Sequence, residues 1–472
     1  MSQLPGKLLD SLEGVKGFNK ETFKEIHESN ERITAIRLNP LKSKRALFKK
    51  EEVKETQERE TIFEGMQHIP WTNYGYYLPA RPFFTFDPLL HGGAYYVQEA
   101  SSMFLEQCLK QLVDLNSGIK ILDLCAAPGG KSTHIQSLIN EKSLLVSNEV
   151  IKTRVNILIE NLSKWGAVNN IVTNNDPRDF SRLENYFDVI VIDAPCSGSG
   201  LFRRDPDTIK EWSPEAVDMC SLRQQRILSD VYPALKQNGI LIYSTCSYSA
   251  EEDEEICDWI CEHFNAEALT VGINPQWGIV ETSSIKHHAP GYRFFPDRLK
   301  GEGFFISCFR KKDGEESFDS YPKKNKLLKL SASEKEMVEP WLRNPSAHNL
   351  YHLEQDVFAF PVTMDQELAV VHANLYTKKA GVRIGRLVKK ELLPDHELAL
   401  SEIANETILS ISLKKEEALQ YLRKEEVKFE AGDKGWALVK YEGVNLGWVK
   451  LLGNRINNYY PKEWRILKSG NS

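Results

Sequence analysis

The chain has 472 residues, 41% hydrophobic and 27% charged, with a formal net charge of −6. This is an ordinary soluble composition with room for several domains, and no apolar run approaches the ~20 residues of a membrane span. The mild acidity excludes nucleic-acid binding driven by global charge, and eight Cys without a C-x-x-C pair exclude a disulfide scaffold and give no metal-ligand spacing.

The opening "MSQLPGKLLDSLEGVKGFNKE" lacks a basic-then-apolar leader pattern, so a cytoplasmic location is expected. Residues 1–90 mix a short helical pattern, a strand-like "ITAIRLN" and the aromatic, Pro-rich "WTNYGYYLPARPFFTFDP". They read as a small α+β domain. Within it, residues 32–50 carry Arg32, Arg37, Lys42, Lys44, Arg45, Lys49 and Lys50 and no acid.

From residue 119, short apolar strands alternate with helical patterns: "IKILDLC", "SLLVSNEV", "NNIVTNND", "FDVIVIDAPC" and "NGILIYSTC". Continuous apolar strands of this kind imply a parallel sheet covered on both faces. "GFFISCFRKK" (303–312) is expected to close it. The polar stretch 313–326 reads as a linker. Residues 327–472 form a distinct region ending in Gly-punctuated strands. It holds a second acid-free basic stretch, 372–390, with Lys378, Lys379, Arg383, Arg386, Lys389 and Lys390. Two such stretches point to nucleic-acid phosphates.

"ILDLCAAPGGKST" (121–133) runs from the first strand through a Pro/Gly turn into a helix opening near Lys131. It is close to a phosphate-binding loop, but Cys125 stands where that loop needs its first Gly. Ligands of open α/β sheets bind beyond the carboxyl ends of the strands. Those ends supply Asp123, Glu149, Asp176, Asp193 with Cys196, and Cys246. Glu149 suits ribose hydroxyls and would repel a triphosphate. An adenosine ligand without phosphates therefore fits better than ATP, and the four acids suit the sulfonium cation and hydroxyls of S-adenosylmethionine. A thiol facing a methyl donor points to covalent activation of a pyrimidine. Addition of a thiolate at carbon 6 makes carbon 5 of cytosine nucleophilic, and an acid near nitrogen 3, here Asp193 if protonated or sharing a proton, would neutralise the charge that builds. Ser249 and Glu252 form a capping-box pattern for the helix that follows Cys246, whose apolar face is Ile256, Trp259, Ile260 and Phe264.

Taken together, "DLCAAPGGKST", "NEV", "DAPCSGSG", "RRDPD", "WSPEAVDMCSLRQQRIL" and "YSTCSYSAEE" resemble the Nol/Nop/Sun group of RNA (cytosine-5) methyltransferases over about 90–312. "GAYYVQEASS" resembles the segment before the cofactor turn, "RLNPLK" (37–42) the N-terminal RNA-binding motif, and "LGWVK" with "NNYYPKEWR" the PUA-like tail of the bacterial RsmF branch.

The resemblance implies an α/β protein. A Rossmann-type class I methyltransferase core (91–312) would lie between a small N-terminal α+β RNA-binding domain (1–90) and, past the linker, a C-terminal α+β, PUA-like RNA-binding region (327–472). It implies S-adenosylmethionine held by Cys125, Ala126, Ala127, Pro128, Gly129, Gly130 and Lys131, with Glu149, Arg154, Asp176 and Asp193. It makes Cys246 the nucleophile and Cys196 the residue that helps release product, with no metal. It implies 16S ribosomal RNA near the decoding site as substrate, naked or in the 30S subunit. The expected RNA contacts are Arg37, Lys42, Arg203, Arg204, Lys378, Lys379, Arg383 and Arg386. A monomer that engages neither membrane nor DNA is expected.

Other readings compete. A tRNA or 23S ribosomal RNA cytosine-5 methyltransferase would carry the same motifs. A DNA cytosine-5 enzyme would use Cys196 as nucleophile and leave Cys246 unexplained. A P-loop-like NTPase and a non-catalytic RNA-binding assembly factor are the remaining alternatives.

Overall fold

The computed structural model describes residues 4–29, 31–42, 63–315, 318, 327–389, 391–427, 434–453 and 455–468. Lys44, Arg45, Lys49, Lys50, Lys390 and most of 313–326 lie outside the described residues.

The centre is a ten-stranded sheet. Its strands are β1 (Lys120–Asp123), β2 (Leu144–Asn148), β3 (Asn170–Thr173), β4 (Phe187–Asp193), β5 (Leu235–Thr245), β6 (Ala266–Leu269), β7 (Val280–Ser283), β8 (Pro290–Phe294), β9 (Phe304–Lys311) and β10 (Thr377–Ala380). Strands β3-β2-β1-β4-β5 run parallel in that order. Both faces are covered: Val189 and Val191 of β4 point one way, Ile190 and Ile192 the other, and all four are fully buried. The covering helices include α1 (Gly130–Gln136), α2 (Lys152–Trp165), α3 (Pro214–Val231) and α4 (Glu254–His263). Helix α2 buries Val155, Leu158, Leu162 and Trp165, the spacing of one helical face. Ser213 caps α3 by accepting from Ala216 N at 3.1 Å, with Pro214 at the first helical position.

"GFFISCFRKK" does not close the sheet. Strand β9 pairs antiparallel with β5 on one side and β8 on the other, and β7 lies beyond. The opposite edge comes from the C-terminal region, where β10 pairs antiparallel with β3. The chain then turns at Gly381, whose φ is +63° and where a Cβ would stand 2.0 Å from Ala359 O. Only glycine fits there. Past it, Val382–Val388 joins a separate five-stranded sheet. A four-stranded sheet of Ser410–Ser412, Lys434–Tyr441, Val444–Leu452 and Ile456–Asn458 follows.

The N-terminal sheet includes Tyr95–Val97, paired with Thr34–Leu38, so its strands extend beyond residue 90. The first two helices, Gly6–Ser11 and Lys20–Glu28, bury Leu8, Leu9 and Phe23 against Phe202, Tyr248 and Phe295. They brace the loops that follow β4 and β5. Among the described residues, no helix is long and apolar enough to cross a membrane.

Candidate active site

The turn between β1 and α1 is held from β2 and α2. Ala126 N donates to Asn148 O at 2.8 Å. Arg154 Nη2 donates to Ala127 O at 2.5 Å, and Asn161 Nδ2 to Pro128 O at 2.8 Å. Gly129 has φ +115°, and a Cβ there would lie 3.3 Å from Asn161 Cβ, so the turn presses on α2 as only glycine permits.

The acids expected at the strand ends gather beside this turn. Asp123 is buried; its Oδ2 accepts from Ser132 Oγ at 2.6 Å, while Oδ1 has no protein partner. Burial pushes its carboxyl up to about 7. Glu149 is 3% exposed, accepts from Ile151 N at 2.8 Å and lies 3.4 Å from Arg154 Nη1. Asp193 Oδ1 pairs with Lys131 Nζ at 2.8 Å and accepts from Ser244 Oγ at 3.1 Å. Lys131 is therefore directed at a carboxylate, and Ser132 bonds Asp123. Neither is disposed as a phosphate loop would use it. Asp176 sits slightly apart: it caps Pro177–Leu183 through Arg178 N at 3.2 Å and lies 3.7 Å from Arg226 Nη1. Burial, with the nearby acids, pushes the Cys125 thiol well up, and its side chain packs against the core.

This donor set fits S-adenosylmethionine. Three acids flank the turn, one buried carboxylate oxygen lacks a protein donor, and the acid ending β2 stands where ribose hydroxyls are met in this fold.

The two thiols complete the site. Cys196 follows β4 and Cys246 follows β5, and their sulfurs are 3.0 Å apart. The hydrogen bond to Cys246 raises the Cys196 thiol, and burial adds to this. Glu252 does not cap α4. Ser249 Oγ has no partner, and no side-chain cap is made there. The buried Glu252 carboxylate instead accepts from Ser197 N (2.8 Å), Ser197 Oγ (2.5 Å), Ser247 Oγ (2.6 Å) and Gln224 Nε2 (3.2 Å). The acid after "YSTCS" was visible in the sequence, but of its partners only Ser247 is local; Ser197 lies on the loop after β4 and Gln224 on α3.

Several residues expected to hold RNA serve the fold. Arg37 is fully buried: it donates to Gln98 Oε1 (2.8 Å), Ser137 Oγ (2.8 Å) and Thr133 Oγ1 (2.6 Å) and lies 4.3 Å above the Trp165 ring. Burial lowers its pKa to about 9. Lys42 Nζ donates to Gly92 O (2.9 Å) and Lys164 O (2.5 Å), near the C-terminal end of α2, where a cation is favoured. "RLNPLK" thus docks the N-terminal domain on the core. Arg203 is nearly buried and donates to Gly301 O (3.2 Å) and Glu31 O (2.9 Å). Lys379 is 2% exposed and pairs with Glu397 at 2.6 Å. Arg383 is held between Asp395 (2.8 Å) and Asp356 (3.5 Å). Arg204 is exposed, Arg386 is half-exposed beside Asp356, and Lys378 lies 4.7 Å over the Tyr376 ring at the surface.

A β3-β2-β1-β4-β5 parallel core with antiparallel β9 beside β5, a glycine turn after β1 and an acid ending β2 define a Rossmann-type methyltransferase. Residues 110–310 match the family described as 16S rRNA methyltransferase RsmB/F, 4–100 the N-terminal domain of 16S rRNA methyltransferase RsmF, and 409–466 the methyltransferase RsmF PUA domain. The chain belongs to the RsmB/F methyltransferase family. It is 30% identical over 454 residues to ribosomal RNA small subunit methyltransferase F of Aliivibrio salmonicida, covering 93% of this chain and 92% of the relative. It is 29% identical over 471 residues to the protein of that name in Aliivibrio fischeri, covering 96% of each. In fold it is similar to NSun6 from Pyrococcus horikoshii, solved with SFG, at a TM-score of 0.51 and 19% identity over 66% of this chain and 99% of that one.

Proposed function

We propose that this protein methylates carbon 5 of a cytosine in 16S ribosomal RNA, near the decoding site, through a covalent adduct on Cys246. The observation that carries this reading is the pair of thiols 3.0 Å apart at adjacent strand ends, beside an acid-flanked glycine turn. The names of relatives that match over more than nine-tenths of this chain favour small-subunit RNA over tRNA or 23S RNA. The matched PUA domain favours an RNA substrate over DNA. Action as a cytoplasmic monomer on naked RNA or on the 30S subunit belongs to the same reading.

S-adenosylmethionine, held by Cys125 through Lys131 with Asp123, Glu149, Arg154, Asp176 and Asp193, supplies the methyl group as an electrophile. The chain supplies the rest. The Cys246 thiolate adds to carbon 6; the carbon 5–carbon 6 π bond breaks, its electrons move toward carbon 4 and nitrogen 3, and carbon 5 becomes enamine-like and nucleophilic. Asp193 would pass a proton to nitrogen 3 as negative charge grows there and take it back when the ring double bond re-forms, with Lys131 2.8 Å away holding the carboxylate left behind. After methylation the carbon 5 proton passes to a solvent base, the ring double bond re-forms and the bond from carbon 6 to sulfur breaks. Cys196 would donate its S–H to the departing Cys246 sulfur, 3.0 Å away, and stabilise it as thiolate.

Bisulfite sequencing of ribosomal RNA from cells with and without the gene tests the proposal. One 16S cytosine should lose its protection when the gene is absent. Unchanged 16S RNA with altered tRNA or 23S RNA would move the activity to that substrate.

A further inference from the structure

We propose that Glu252 is a positioning residue that holds the Cys196 loop in register with Cys246 and so governs adduct release; the inference rests on the covalent reading above. The carboxylate joins the two loops directly. One oxygen accepts from Ser197 N and Gln224 Nε2, the other from Ser197 Oγ and Ser247 Oγ, so the residues immediately after both cysteines are tied to one group. Gln224 extends the tie by donating to Pro195 O at 3.1 Å and accepting from Tyr243 OH at 2.9 Å. The Cys196 turn is thus gripped on both sides of the thiol.

The two cysteines do not depend on Glu252 equally. The end of β5 has its own anchor: Thr245 Oγ1 donates to Asp253 Oδ1 at 2.6 Å, and Asp253 lies 3.2 Å from Arg293 Nη2. The bonds of the Cys196 loop that do not involve Glu252 lie further along it: Gly200 N donates to Cys246 O at 2.9 Å and Ser199 Oγ accepts from Tyr248 N at 2.9 Å. Removing the Glu252 side chain therefore leaves Cys246 fixed by Thr245 and loosens Ser197, the residue beside Cys196. Attack and methyl transfer persist, and departure of the Cys246 sulfur slows. Glutamine is the conservative variant. Its oxygen can accept from the two nitrogens, and its amide can donate to serine hydroxyls turned to accept, which keeps both loops tied without the charge.

The experiment compares Glu252→Ala, Glu252→Gln and Cys196→Ala as full-length chains with ribosomal RNA and S-adenosylmethionine. Adduct lifetime is read on denaturing gels after a chase, and the folded fraction by circular dichroism. Glu252→Ala should lengthen the adduct lifetime by about tenfold or more, as small misplacements of reacting groups do, and Glu252→Gln should restore it. An adduct lifetime in folded Glu252→Ala equal to wild type, or a glutamine variant as impaired as alanine, overturns the inference.

A second reading needs no RNA: mass spectrometry of the rate at which iodoacetamide alkylates each thiol. Cys196 should react about tenfold faster in Glu252→Ala, with Cys246 unchanged. Equal rates overturn the inference, whereas failure of Cys196→Ala to trap RNA overturns the covalent reading instead. Should Glu252→Ala not fold, Ser197→Ala with Ser247→Ala removes the two hydroxyl ties, and the same two measurements decide.

Discussion

Cys196 and Cys246 approach sulfur to sulfur at 3.0 Å, although fifty residues of chain and all of α3 separate them. If Cys246 attacks and Cys196 assists departure, the two alanine variants fail differently. Cys246→Ala should show no methylation and no covalent complex. Cys196→Ala should accumulate protein joined to RNA, seen as a slow band on a denaturing gel. Trapping by Cys246→Ala instead would reverse the roles.

Glu149→Ala should weaken S-adenosylmethionine binding by about tenfold or more, the worth of a charge-assisted hydrogen bond of roughly 1.5–3 kcal/mol. Calorimetry is the check. Unchanged affinity would reduce Glu149 to its visible role, accepting from Ile151 N.

Arg204 and Arg37 should separate in a salt titration of RNA binding. Arg204 is exposed, and Arg204→Ala should flatten the log–log slope by about 0.7 for a lost single-strand phosphate contact. Arg37 is sealed against Trp165, and Arg37→Met should leave the slope unchanged. A flatter slope for Arg37→Met would mean that the N-terminal sheet opens to admit RNA.

Lys379→Ala should destabilise the protein by roughly 3–5 kcal/mol, because Glu397 would keep a buried carboxylate without its cation. Replacing the pair together by Lys379→Met with Glu397→Leu should recover most of this loss. Denaturant melts of the two variants measure both, and a single variant as stable as wild type would show that the pair is not buried in solution.

Four histidines should make the fold acid-sensitive. Burial lowers His27, His91 and His134 to about 4 and His396 to about 3, against an unfolded value of 6.5. Each stays neutral when folded and takes up a proton when unfolded, so the stability it contributes is full above pH 6.5 and is lost as pH falls toward those values. His396 tests this alone. Both its ring nitrogens lack partners, and Tyr460 and Trp464 present their rings edge-on to it. His396→Phe should melt like wild type at pH 8 and gain on it by up to about 1.4 kcal/mol per unit of falling pH. Parallel melting curves at every pH would rule the effect out.

The parallel core was readable in advance because each strand is a short apolar run and each ends in a chemically distinct residue: Asp123, Glu149, Asp193, Cys196, Cys246. Period and strand-end logic are local, and they placed these residues at one edge. What stayed hidden was long-range. Arg37 and Lys379 look like solvated cations until Trp165 and Glu397 arrive from elsewhere in the chain. Ser249 and Glu252 have capping-box spacing, but four donors, three of them from Ser197 and Gln224 far back in the chain, outcompete a helix end. The pairing of Thr377–Ala380 with β3 left no local mark at all, since an edge strand is defined by its neighbour.

That last strand makes the tail inseparable from the core. A chain stopped at residue 312 would leave Ile171 and Val172 on a strand with a bare row of amides and carbonyls, a template for a second copy to zip onto. The C-terminal region therefore covers the edge of the core sheet as well as carrying the matched PUA domain.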